Sequence, residues 1–157
     1  MCDILIALLA AAGLALDQWL KAYVTANIPL GQAQPLVPGL VELRTVHNYG
    51  AAWSSFSGQR WLLVAVTCCI VAAVAVLLAR RVVRHPLGVA ACTMIISGGI
   101  GNIVDRVRLG YVVDMLETLF MDFPVFNLAD CFISCGCVLL MVRLAFFNKA
   151  IWKDGKK

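Results

Sequence analysis

Four long apolar runs dominate this sequence, and each is about as long as a lipid bilayer is thick. An α-helix rises about 1.5 Å per residue, so roughly 20 apolar residues cross a hydrocarbon core of about 30 Å. Because 62% of the residues are hydrophobic and only 14% are charged, the chain lacks the polar side chains that a water-soluble fold exposes. We therefore predict one domain over residues 1–157, an all-α membrane protein with four transmembrane helices. The predicted spans are 4–24, 61–79, 86–104 and 128–147, and the predicted outer loops are 25–60 and 105–127.

The first run permits a second interpretation, the hydrophobic part of a cleaved signal peptide. Its clean apolar stretch from Ile4 to Leu16 is short, and the residues from Ala10 to Ala12 are small. No Lys or Arg precedes the stretch, and further spans follow it. A first transmembrane helix is therefore the favoured interpretation.

Clusters of basic residues predict the orientation in the membrane. They lie in the connection after the second span and in the tail after the fourth, which share one side of a four-span protein. Short segments rich in Lys and Arg face the cytoplasm, so both termini are predicted to be cytoplasmic. Because these residues lie at span ends and not along one soluble face, no nucleic-acid partner is expected. The residues are Arg80, Arg81, Arg84, Lys149, Lys153, Lys156 and Lys157.

Six of the seven cysteines lie inside the apolar runs, where a thiol behaves as a small hydrophobic group. Cys131, Cys135 and Cys137 are close enough in sequence to suggest metal ligands. No His or further Cys lies nearby to complete a set of four, so packing is the favoured role. We expect no disulfide framework, no metal and no cofactor.

Nine polar residues from separate segments fall at or just beyond the outward ends of the spans. Polar groups near hydrocarbon are costly, and they face a bundle interior or a water-filled cavity and pair with one another. A single residue of this kind is adequately explained as a helix end that touches headgroups and water. Nine on one face of the membrane indicate a functional site. They are Asp17, Lys21, Asn48, Asn102, Asp105, Arg106, Asp114, Asn127 and Asp130.

Local patterns predict some structure around these residues. In the first outer loop, Val41 to Val46 partly alternates apolar and polar residues, which favours a short strand. His47 has no second candidate ligand on this side, so a structural role is favoured over a catalytic one. Asp17 and Lys21 are one helical turn apart and can form an ion pair, which we interpret as a brace.

The carboxylates offer the chemistry, because the sequence has no serine-hydrolase elbow, zinc-protease motif or phosphate-binding loop. Two aspartates that share one proton can divide the acid and base roles of peptide hydrolysis. Asp105 is next to Arg106, with Arg108 close by, and is expected to be held ionised as a structural partner. Asn127 is a good N-cap for the fourth span, and that helix dipole favours the charged form of Asp130. Asp114 follows a β-favouring stretch near the membrane surface, where desolvation raises its pKa, so we assign the shared proton to it.

The sequence also resembles the bacterial lipoprotein signal peptidase (signal peptidase II) family over essentially its whole length. Five blocks carry the resemblance in the right order. They are Asp17-Gln18-Trp19-Leu20-Lys21, His47-Asn48-Tyr49-Gly50-Ala51-Ala52-Trp53, Gly98-Gly99-Ile100-Gly101-Asn102-Ile103-Val104-Asp105-Arg106, Val112-Val113-Asp114, and Phe123-Pro124-Val125-Phe126-Asn127-Leu128-Ala129-Asp130. The departures are mild: Leu20, Met115 and Cys131 stand where Thr, an aromatic residue and Ser are common.

The resemblance implies an aspartic endopeptidase that cleaves prolipoproteins on the N-terminal side of a diacylglyceryl-modified cysteine. It implies a bacterial inner-membrane enzyme, a monomer in contact with membrane lipid, with a small periplasmic cradle that contains β-structure and a loop. The positions of the catalytic pair match Asp114 and Asp130. Positions that bind substrate or support the site match Asn48, Asn102, Arg106, Asn127, Asp17 and Lys21.

The first outer loop is expected to cover the cleft of such an enzyme. Its apolar residues would lie on lipid or on the substrate and exclude bulk water. These residues are Ile28, Leu30, Leu36, Val37 and Leu40.

Two other classes of protein fit part of the pattern. A small ion- or proton-coupled transporter could use intramembrane carboxylates, although the two halves of the chain share no repeated polar blocks. A non-enzymatic assembly factor could use the glycines at 98, 99 and 101 to pack against partner helices.

Overall fold

The computed structural model describes residues 2–51, 53 and 55–147, and at residues 2, 3 and 147 it describes the backbone alone. The tail lysines used to predict the orientation, and Ala52 of the second block, lie outside the described residues. Over these described residues the chain forms four helices and three strands. In order they are α1 (Cys2–Asn27), β1 (Ala33–Val37), β2 (Val41–Asn48), α2 (Arg60–Ala79), α3 (Pro86–Arg108), β3 (Val112–Thr118) and α4 (Leu128–Phe147).

All four helices are long and apolar enough to cross a membrane, which confirms the predicted fold class. The strand expected from Val41 onwards is also present as β2. Two helices continue beyond the predicted spans: α1 reaches Asn27 and α3 reaches Arg108. The additional turn of α3 carries Asp105 and Arg106, whose side chains are buried, whereas the additional residues of α1, from Thr25 to Asn27, are exposed.

Helix α3 lies at the centre of the bundle and contacts each of the other three helices. Glycines on its different faces allow this close approach, because a side chain at each position would overlap a different neighbour. Gly98 faces the backbone of α4, Gly99 faces Val71 of α2, and Gly101 faces Asp17 of α1. The same glycines are therefore used inside the chain's own bundle, which removes the surface that the assembly-factor interpretation required.

The three strands form one antiparallel sheet in the order β1-β2-β3, located at the end of the bundle where α1 and α3 finish and α4 begins. The sheet is attached to α1 by a small apolar core of Val24, Ile28 and Met115. Thr45 reinforces this junction by donating its hydroxyl to the Ile28 carbonyl at 2.8 Å. The sheet thus holds the strand residues close to the helix ends that carry the polar cluster.

The placement of Ile28 corrects one prediction. Its side chain is only 1% exposed, so it lies in the core and not on lipid or substrate. The reason is that α1 continues to Asn27 and carries the next residue under the sheet. The other four apolar residues of this loop are exposed, namely Leu30, Leu36, Val37 and Leu40.

Candidate active site

All eight residues predicted for the site belong to one connected hydrogen-bond network. The network joins the last turns of α1 and α3, the first turn of α4, and the facing strands β2 and β3. Most of its polar side chains are removed from solvent, which requires that they satisfy one another. The buried members are Asp17, Lys21, Asn102, Asp105, Arg106, Asp114 and Asn127.

Asn127 links the two aspartates that the sequence selects. Its side-chain oxygen accepts the N–H of Asp130 at 2.9 Å, and its own N–H donates to Oδ2 of Asp130 at 3.1 Å. This reciprocal pair caps α4, as predicted for Asn127. Its side-chain nitrogen donates to Oδ1 of Asp114 at 2.6 Å. One residue therefore contacts both carboxylates and sets their relative position.

Asp114 lies on β3 opposite Val46 of β2 and is 2% exposed. Its second oxygen, Oδ2, accepts a hydrogen bond from the side chain of Asn48 at 2.9 Å. Burial raises the pKa of Asp114 to about 7, and the negative charge of Asp130 adds to the rise. The hydrogen bonds from Asn48 and Asn127, and then the charge of Lys21, act in the opposite direction. Desolvation is therefore the main cause, as expected from the sequence.

Asp130 stands in the first turn of α4, with one oxygen on the Asn127 N–H and the other on the side chain of Asn102. The Asn102 Nδ2 donates to Oδ1 of Asp130 at 2.8 Å. Asn102 comes from α3, six residues before that helix ends at Arg108, so the contact places Asp130 about 9 Å along α3 from its C-terminal end. Asp130 therefore lies beside the body of α3 and not at the end of that helix.

The orientation of each of the three amides is determined by its other partner. The side-chain oxygen of Asn48 accepts the Gly50 N–H, that of Asn127 accepts the Asp130 N–H, and that of Asn102 accepts the Lys21 ammonium. A backbone N–H and an ammonium can only donate, so each amide must present its NH₂ group to a carboxylate. Each carboxylate oxygen consequently receives one donor and retains lone-pair capacity for water or substrate.

Lys21 contacts Asn102, one of these three amides, and also forms the predicted ion pair with Asp17. Its ammonium is 2.9 Å from Asp17 Oδ2, 2.9 Å from Asp105 Oδ2 and 3.2 Å from Asn102 Oδ1. The other oxygen of Asp17 accepts the N–H of Ala129 at 2.9 Å. Asp17 thus connects α1 to the first turn of α4, immediately before Asp130.

The predicted pairing of Asp105 with Arg106 is wrong, because Asp105 pairs with Lys21 instead. Consecutive residues of an α-helix project about 100° apart, so the two side chains point to different neighbours. Arg106 donates to the Gly50 carbonyl at 2.7 Å and to the Asn102 carbonyl at 3.4 Å. It therefore holds the segment after β2 against α3.

A cavity of about 780 Å³ opens over the two aspartates, with Asn48, Asn102 and Arg106 also on its wall. The rest of its lining is largely apolar. Trp53 and Phe123, from different loops, meet edge to face with ring centroids 5.8 Å apart. His47 also borders the cavity; it stacks on Tyr111 with centroids 3.8 Å apart, and burial lowers its pKa. This combination can hold an apolar ligand beside two carboxylates.

Several of these lining residues were not predicted from the sequence. Hydropathy gave no signal for them, because an aromatic or aliphatic residue in a loop or span looks the same whether it faces lipid or a cavity. Three of them, Trp53, Phe123 and Phe126, do lie in the blocks that carry the family resemblance. The residues are Val46, Trp53, Leu63, Thr67, Phe123 and Phe126.

The fold and the site define a membrane-spanning protein with two aspartates, one buried and one partly buried, beside a largely apolar cavity. Residues 9–146 match the family model described as signal peptidase (SPase) II. A lipoprotein signal peptidase of Lactococcus lactis subsp. cremoris (strain MG1363) is 42% identical over 144 residues, covering 92% of this chain and 95% of the relative. That of Streptococcus agalactiae serotype Ia is 36% identical over 154 residues, covering 98% and 96%. The chain therefore belongs to the signal peptidase II family, as its resemblance indicated.

Solved structures agree with this placement. The chain superposes on a bacterial membrane enzyme determined by the in meso method at 2.3 Å with a TM-score of 0.83 and 27% identity, covering 96% of this chain and 89% of that one. A second such enzyme, determined at 1.9 Å, gives 0.82 and 28%, covering 90% and 92%. The family is one of peptidases, so the protein is an aspartic-type membrane peptidase, and the transporter alternative is not supported.

Proposed function

We propose that this protein removes signal peptides from prolipoproteins, cutting on the N-terminal side of a diacylglyceryl-modified cysteine, with Asp114 and Asp130 as its catalytic pair. The observation that carries the proposal is the double contact of Asn127, which holds the buried carboxylate of Asp114 and the partly buried carboxylate of Asp130 on the wall of one cavity. Two adjacent carboxylates in a site of low polarity share a proton readily, which is the requirement for acid–base hydrolysis without a nucleophilic side chain.

In the proposed reaction, Asp114 begins with the proton and Asp130 begins ionised. Asp130 takes a proton from the water that attacks the scissile carbonyl carbon, and Asp114 gives its proton to the carbonyl oxygen. When the resulting diol collapses, the carbon–nitrogen bond breaks and Asp130 protonates the departing amine. Asp114 recovers its proton from a hydroxyl of the diol. The pKa of about 7 for Asp114 supports this division, because much of it is protonated near neutral pH.

The remaining site residues hold this pair and the substrate. Asn48, Asn102 and Asn127 each give an NH₂ group to a carboxylate, and each is locked by a second contact. Such fixed donors keep the reacting groups in place without reorganisation during the reaction. Arg106 lines the cavity and holds the Gly50 carbonyl, while Asp17 and Lys21 support the first turn of α4 from behind.

The depth of the site suits a lipid-modified substrate. Asp17 lies about 15 Å along α1 from its end at Asn27, and Asp130 lies in the first turn of α4. A diacylglyceryl group keeps its acyl chains in the bilayer, so the bond beside the modified cysteine is presented near this level. We place the site on the periplasmic side of the inner membrane, with both termini cytoplasmic, and the protein as a lipid-bound monomer and one protease domain.

The test is cleavage of a synthetic diacylglyceryl-cysteine precursor by purified protein in detergent. Asp114→Asn and Asp130→Asn should each lose cleavage while still folding and inserting. Asp122→Asn is the matched control, because this exposed carboxylate lies outside the network. A precursor with an unmodified cysteine should be cut far more slowly. Cleavage by either variant at the wild-type rate would remove that aspartate from the mechanism.

A further inference from the structure

We propose that Asp105 is a positioning residue of this peptidase, which fixes Asp114 by holding the backbone of the residue before it. The inference rests on the proposed function of Asp114 and Asp130. Asp105 is 3% exposed and does not border the cavity. It therefore acts through other residues and not by touching the substrate.

The first observation is how completely the Asp105 carboxylate is used. Its Oδ2 accepts the Val113 N–H at 3.2 Å and the Lys21 ammonium at 2.9 Å. Its Oδ1 accepts the side chain of Gln18 at 2.9 Å. The carboxylate thus joins α1, α3 and β3 at one point, and three donors restrict its movement.

The second observation concerns the open edge of β3. β2 covers one edge of this strand, and on the other edge the N–H of Met115 bonds the Phe126 carbonyl at 2.9 Å. The N–H of Val113, two residues earlier, points to the same side, and none of the described strands lies opposite it. Asp105 supplies the missing acceptor, so a side chain of α3 takes the place of a neighbouring strand directly before Asp114.

The third observation is that Lys21 connects both halves of the catalytic pair. On one branch it bonds Asn102, which bonds Asp130. On the other it bonds Asp105, which bonds the backbone next to Asp114. The two aspartates come from different elements, so their separation depends on these branches and on Asn127. Loss of Asp105 removes the link to the Asp114 backbone, while Lys21 keeps its contacts with Asp17 and Asn102.

The test compares Asp105→Ala, which removes the acceptor, with Asp105→Asn, whose amide oxygen can still accept the Val113 N–H. Misplacing a reacting group by about 1 Å can cost roughly 100-fold in rate. We expect Asp105→Ala to lower kcat by about 10- to 100-fold with KM changed by less than about twofold. Asp105→Asn should recover most of the lost kcat. Thr45→Val is the control, because it disturbs the buried α1–β2 junction without contacting this network.

Thermal unfolding of each variant in detergent separates folding from positioning. Wild-type kcat in folded Asp105→Ala, or a loss in Asp105→Asn as large as in Asp105→Ala, would overturn the proposal. If Asp105→Ala does not fold, hydrogen exchange in the wild type decides. The Val113 amide should be protected as strongly as the Met115 amide, and exchange at the rate of a free amide would overturn the idea. Activity retained by Asp114→Asn would instead refute the proposed function.

Discussion

The hydrogen bond from Asn48 to Asp114 should control the alkaline limit of activity. Asn48 donates to Oδ2 of Asp114 at 2.9 Å and therefore stabilises the ionised form of that carboxyl group. Asn48→Ala removes this donor without adding a charge. The ionised form becomes less favourable, so the pKa of Asp114 must rise further above its present value of about 7.

The size of this shift follows from the value of a hydrogen bond to a charged group. Such a bond contributes about 1.5–3 kcal/mol, and one pKa unit corresponds to about 1.36 kcal/mol. Water in the cavity can replace part of the lost bond, so we expect a shift of about one unit. The upper apparent pKa of the aspartate pair should move from about 7 to about 8.

The assay is kcat/KM for the synthetic lipopeptide measured from pH 5 to pH 9, which reports the ionisations of the free enzyme. The alkaline limb should move upwards in Asn48→Ala, while the maximum rate falls because Asp114 is held less firmly. Asn27→Ala is the matched control, since the Asn27 side chain bonds only the carbonyl of Tyr23 in its own helix among its described contacts. An alkaline limb that stays in place or moves downwards in a folded Asn48→Ala variant would refute the reasoning.

Two further results are expected. Between about pH 4 and pH 7 the folded protein binds more protons at Asp114 than the unfolded chain does, so this residue lowers the free energy of unfolding as the pH rises. The free energy of unfolding of Asp114→Asn, measured by thermal unfolding, should therefore increase relative to that of the wild type by about 2–3 kcal/mol from pH 5 to pH 7. A difference between the two proteins that does not change with pH would contradict the assignment. Gly98→Ala should reduce both stability and activity more than Gly99→Ala, because a side chain at 98 meets the Ala129 backbone beside the site whereas one at 99 meets the Val71 side chain. Equal losses in unfolding temperature would contradict this, because they would mean that the α4 backbone shifts at no greater cost than the Val71 side chain.

Predictions from the sequence succeeded where a residue's partner lies close in the chain. Asp17 and Lys21 are one helical turn apart, and Asn127 caps the helix that begins at the next residue. Local geometry therefore determines these contacts. The predictions failed where a partner comes from a distant segment: Asp105 bonds Lys21 of α1, and Ile28 packs under β3. Proximity in sequence to Arg106 gave the wrong partner for Asp105.

The four membrane-crossing helices, and the gathering of polar residues at one end of them, were determined by the sequence alone. Hydrocarbon imposes a length and a composition on each span, and these are properties of consecutive residues. Only the tertiary structure decided which polar groups meet. The close approach of α3 to its three neighbours, the sheet over α1, and the locked amides that hold Asp114 and Asp130 under one cavity all depend on side chains from separate segments packing together. Their contacts depend on complementary shapes in three dimensions, and no local pattern in the chain encodes them.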